Sequence, residues 1–191
     1  MGRSRLMLTA FVALQAAGAG TTAAAQRLVD VRELPVDTLR DLAVVTYELG
    51  RPIIYYNPIL MQRVGPQMAD FFMAHEYGHI ANGHAGAALT LGGTDVGTIR
   101  QRQELEADCY ATAALAERNG FAVSAALEFF TRLGPFRFDN LHPTGAQRAA
   151  KILACIPEGV ELPHADAPAD AALPIGWTAT APRTPAASPR Q

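Results

Sequence analysis

The chain reads as an α+β protein, mostly helical, with one small β element at an edge. Two observations predict this. Five stretches carry helical patterning between Gly or Pro boundaries. Only one stretch, Pro52–Pro58, is short, β-branched and aromatic enough for a strand.

The first residues are not expected to fold. Arg3 and Arg5 precede a nearly apolar run from Leu6 to Ala17, and small residues end in Ala23-Ala24-Ala25. That pattern predicts a signal peptide over 1–25, cut before Gln26, and an exported protein, periplasmic or secreted. No later stretch approaches 18 apolar residues, so no stable membrane insertion is expected after cleavage. Removing Arg3 and Arg5 from 16 basic residues leaves 14 against 18 acidic ones, a formal charge of −4. With no basic patch, nucleic acid is not an expected partner. The remainder is long enough for one domain with a core.

Asp37–Leu49 is expected as the first helix, with Leu39, Leu42, Ala43 and Leu49 on one side and Gly50 ending it. Pro52–Pro58 is expected as a strand at an edge, because proline is excluded from central strands. Pro66, after Gly65, suits the first position of a helix running to Asn82. Met68, Phe71 and Phe72 should pack inward from it. Gly78 on that helix is a tolerated glycine or, preferably, a place where another element comes close. Residues 85–98, rich in Gly, Ala and Thr, read as a loop or weakly formed segment.

Further helices are expected over Ile99–Arg118, broken by Gly120, and over Val123–Leu133, closed by Gly134-Pro135. Thr144 can cap a last one reaching Cys155. From Pro163 the chain lacks periodicity, so 163–191 is expected to be a disordered tail after a domain over 26–162. Cys109 and Cys155 can form a disulfide in an oxidising compartment, or remain two buried small residues.

The chemistry concentrates in His75-Glu76-Tyr77-Gly78-His79. Two histidines four apart lie on one helical face and can hold one zinc ion, with Glu76 beside them able to take a proton from water bound there. Glu104 and Asp108 are also four apart, while Glu106 points away. Glu104 can supply a third ligand, and Asp108 can hydrogen-bond the free nitrogen of a ligating histidine. Without the histidines, these acids would read as a solvated helix face. His142, in a constrained loop before Pro143, is the candidate donor to a developing oxyanion. His84, near the helix end, reads as a structural or cleft-wall residue.

Three blocks resemble the gluzincin zinc metallopeptidases, and within them the CAAX prenyl protease and HtpX-like peptidases. They are HEYGHIANGH at His75–His84, ELEAD at Glu104–Asp108 and LHPTGAQR at Leu141–Arg148. The resemblance covers roughly residues 36–156. It implies a zincin-like domain holding one zinc ion on His75, His79 and Glu104, with Glu76 as general base and acid and Asp108 behind a histidine. It also implies that His142 and Arg148 shape or polarise the site. Family members present an edge strand on which a polypeptide substrate lies, and Ile54, Tyr55 and Tyr56 fit that place. The chain departs from members with membrane helices, so prenylated-protein processing within a membrane is not expected. The expected function is a zinc endopeptidase acting on extended or unfolded polypeptide. Two alternatives are a non-catalytic peptide-binding module on a retained fold and a closed, structural zinc site.

Overall fold

The computed structural model describes residues 31–84 and 96–164. The expected signal peptide, most of the segment 85–98 and the tail beyond His164 lie outside the described residues. The fold is mostly helical with a small mixed sheet. Its elements are β1 (Arg32–Pro35), β2 (Ala43–Glu48), β3 (Arg51–Tyr56), α1 (Pro58–Val64), α2 (Pro66–Ala81), α3 (Val96–Leu115), α4 (Gly120–Leu133) and α5 (Gly145–Ala154). Among the described residues, no helix is long and apolar enough to cross a membrane.

The sheet has the order β1-β3-β2, with β1 parallel and β2 antiparallel to β3. Two expectations are corrected here. The predicted helix over Asp37–Leu49 is replaced by a turn and strand β2. Val44-Val45-Thr46-Tyr47 is a β-branched and aromatic run, which favours a pleated surface over a helix. Gly50 does not end a helix. Leu49 and Gly50, with φ of 50° and 77°, form the two-residue turn of the β2–β3 hairpin.

The second correction concerns Pro52. Its strand, β3, is central. Pro52 lies opposite Tyr47, and β1 pairs with β3 only from Ile53 onward. The alternating antiparallel pattern turns the Pro52 nitrogen away from β2, beyond the end of β1, so no ladder bond is lost.

Helix α1 and strand β1 carry no expectation in the sequence reading. Asn57 starts α1: its side chain accepts the N–H groups of Ile59 and Leu60 and donates to the carbonyls of Asp37 and Leu39. It therefore caps the helix and secures the turn before β2. Helix α3 begins at Val96, three residues before Ile99, so Val96–Thr98 is helical. Helix α4 also begins early, with Gly120 in its first turn. Gly120 packs against Pro163, whose carbonyl accepts a hydrogen bond from Ser124 Oγ.

Helix α2 runs through the middle of the domain. Met68, Phe71 and Phe72 are buried, and the two phenylalanines meet Phe129 and Phe130 of α4 edge to face. On its other side α2 lies so close to α3 that a Cβ on Gly78 would sit 2.9 Å from the Ala107 backbone. Helix α5, capped by a reciprocal Thr144–Gln147 box, closes the far side of α3 and α4. A disulfide joins Cys109 of α3 to Cys155, the cap residue ending α5.

Candidate metal centre

The close approach of α2 and α3 brings their polar residues together. His75 and His79 stand one turn apart on α2, with their Nε2 atoms 3.0 Å from each other. Glu104 of α3 reaches both, Oε2 to His75 Nε2 at 3.2 Å and Oε1 to His79 Nε2 at 3.4 Å. One ligand atom from each residue lies within 4.8 Å of the others. Tetrahedral zinc with Zn–N bonds near 2.0–2.1 Å needs ligand atoms roughly 3.3 Å apart, so the cluster fits such an ion. Two imidazoles and a carboxylate are also the right donor chemistry for zinc with a fourth position open.

Charge supports the same assignment. With the histidines neutral, the Glu104 and Asp108 carboxylates outnumber the single Arg148 guanidinium, an anionic excess that a bound cation would offset. Burial opposes charge on His75, but the Asp108 and Glu104 carboxylates beside it raise its pKa to about 10. Burial also works against ionised Glu104, yet contacts with His75 and His79 hold its pKa below the usual carboxylate value. Burial leaves His79 with a lowered pKa.

Behind His75, Asp108 accepts from Nδ1 at 2.9 Å. Asp108 is fully buried, and Arg148 of α5 contacts both its oxygens. Burial disfavours the Asp108 anion, but Arg148 and His75 keep its pKa below normal. The Arg148 guanidinium also stacks over Phe130, 4.0 Å from the ring centre. Arg148 therefore reaches the His75–His79–Glu104 cluster through Asp108 and the back of the His75 ring.

Glu76 stands beside the cluster, turned toward the sheet. Its Oε2 accepts the N–H of Val45 at 2.8 Å. Burial pushes its pKa up to about 7. Strand β2 is the edge that borders the site, and a cleft of about 550 Å³ runs past Val44, Val45, Glu76, His79, Glu104 and His142. The place expected for Ile54, Tyr55 and Tyr56 is therefore taken by β2. Ile54 is wholly buried in the core, Tyr55 donates to Glu48, and Tyr56 packs partly against the core.

His142 lies in the cleft wall, held by Asp139. One carboxylate oxygen of Asp139 accepts the backbone N–H groups of Leu141 and His142 and contacts His142 Nδ1 at 2.8 Å. The sequence reading missed Asp139, although an aspartate two and three residues before the N–H groups it binds is a turn signal. It also missed Val45 and gave Glu106 no partner. His84 Nδ1 lies 3.1 Å from His79 Nδ1, and its Nε2 lies 2.9 Å from Glu106 Oε2.

No protein-family model matches the chain, and comparisons with curated proteins and with solved structures likewise give no match.

Proposed function

We propose that this protein is a zinc-dependent endopeptidase of gluzincin type that hydrolyses peptide bonds in extended or unfolded polypeptides. The observation that carries the reading is the convergence of His75, His79 and Glu104 beside a carboxylate, Glu76, in a cleft bordered by an open strand edge. His75, His79 and Glu104 would hold zinc, which would supply Lewis acidity toward water and a carbonyl.

The chain's own groups do the rest. Glu76 accepts the proton of the attacking water and returns it to the leaving amine, so one water is consumed and a carboxylate and an amine are formed. Val45 keeps the Glu76 carboxylate aimed. His142, steadied by Asp139, donates toward the oxygen that gains charge. By strand alternation, Ala43, Val45 and Tyr47 direct their backbone groups away from β3; with the Val45 N–H held by Glu76, an extended substrate pairs with the groups that remain, the Val45 carbonyl and those of Ala43 and Tyr47. The Cys109–Cys155 disulfide supports an exported, oxidising setting, periplasmic or secreted.

The test is cleavage of an unfolded protein by the zinc-loaded chain and by its Glu76→Gln variant, with products read by mass spectrometry. A rate loss of roughly 10²- to 10⁴-fold in a variant that still holds one zinc is expected. Equal cleavage by both proteins, or none by either when zinc is bound, overturns the reading.

A further inference from the structure

We propose that His84 and Glu106 form a positioning relay that fixes the His79 ring for metal binding, an inference that rests on the zinc-site reading above. The argument starts from the two Nδ1 atoms, 3.1 Å apart. Two bare imidazole nitrogens repel at that distance, so one must carry a proton.

His79 Nε2 points into the cluster with His75 Nε2 and Glu104. A ring that ligates through Nε2 carries its proton on Nδ1, and His79 then donates to His84. His84 consequently bears its own proton on Nε2, where Glu106 Oε2 accepts it at 2.9 Å. Every nitrogen is satisfied in this single direction. Reversing it places a proton on His79 Nε2, in the metal position, and sets a bare His84 nitrogen against a carboxylate.

Backbone geometry builds the relay. Helix α2 stops at Ala81, and Gly83 adopts φ of 71°, turning the chain back so that the buried His84 ring reaches His79. The two ligating histidines are thus supported unequally. His75 leans directly on a buried carboxylate, whereas His79 leans on a neutral ring backed by Glu106, which is 44 % exposed. A residue that merely filled space would not have both ring nitrogens engaged in line.

The experiment uses the whole chain and three variants, His84→Leu, His84→Gln and Glu106→Ala. Zinc retention is measured by chelator competition, and ligand geometry from the visible spectrum of the cobalt-substituted protein. His84→Leu removes the acceptor and should weaken zinc binding roughly 10- to 100-fold while shifting the cobalt bands. His84→Gln, whose carbonyl can accept from His79 and whose amide can donate to Glu106, should recover most of the loss. Glu106→Ala should fall between. A folded His84→Leu protein with unchanged affinity and spectrum overturns the relay. Should that variant not fold, unchanged affinity and spectrum in Glu106→Ala, altered at an exposed position, overturn it equally. An unsubstituted protein that binds no zinc defeats the metal-site reading and the relay together, an outcome distinct from the other two.

Discussion

Arg148 grips both oxygens of Asp108, through Nε to Oδ2 at 2.8 Å and through Nη2 to Oδ1 at 2.5 Å, and that same Oδ1 faces His75. One buried ion pair therefore serves both the joint between α3 and α5 and the back of the candidate metal centre. Arg148→Met should destabilise the fold by about 3–5 kcal/mol, because it strands a buried carboxylate. Adding Asp108→Asn should recover part of that loss. Thermal or urea unfolding of both variants checks the order, and the reverse order would show that charge is not the cause.

Loading with zinc should release about one proton near neutral pH, since His75 must give up the proton it holds in the metal-free protein. Calorimetry in buffers of different ionisation enthalpy reads this directly. The metal-free fold shows the linked effect. A histidine pKa raised from 6.5 to about 10 contributes stability that is complete below pH 6.5 and lost as pH rises toward 10. Zinc affinity should move the opposite way, falling as pH falls. Melting curves of chelator-stripped and zinc-loaded protein between pH 6 and 10 should therefore diverge.

Reduction of the Cys109–Cys155 bridge opens a loop of sequence separation 46. Chain-entropy arguments give about 4 kcal/mol for a loop of this size. Treatment with a thiol reductant should lower the melting temperature and speed loss of zinc to a chelator, because α5 then holds Arg148 against Asp108 less firmly. Unchanged melting under full reduction would mean that packing alone secures α5.

Gly78→Ala should be unfavourable despite the better helix propensity of alanine. The added methyl would meet the Ala107 Cα and carbonyl oxygen at 2.9 Å, and neither can swing aside. The gain of about 1 kcal/mol from propensity is set against an overpacking penalty of about 1–3 kcal/mol. Both the melting temperature and the zinc affinity should fall, since the strain pushes Glu104 away from the histidines.

The local chemistry was more legible than the sheet. His75, His79, Glu104 and Asp108 can be grouped because helical spacing fixes which side chains share a face, and the start of α2 follows from Gly65-Pro66. Leu39, Leu42 and Ala43 mimic a helical stripe, which hides strand β2 in the sequence. Only Val44–Tyr47, read with the Leu49-Gly50 turn, shows the strand, and a leucine at positive φ gives no warning in sequence. The centrality of β3 was hidden by Pro52, whose tolerance depends on where β1 ends. His84 and Glu106, 22 positions apart, are joined only by the fold-back at Gly83 and the packing of α3 on α2.

The bond from Val45 to Glu76 has a consequence for how copies of the chain tolerate one another. An open strand edge with its donors bare is a template for self-pairing and aggregation. On β2, the middle outward N–H is already occupied by Glu76, so a second copy laid along the edge finds its ladder interrupted at the centre. Glu76 thus guards the edge as well as facing the cleft. A glutamine at position 76 can still accept from Val45 through its amide oxygen, whereas an alanine leaves that donor free. Self-pairing along this edge is therefore tied to a side chain of the cleft.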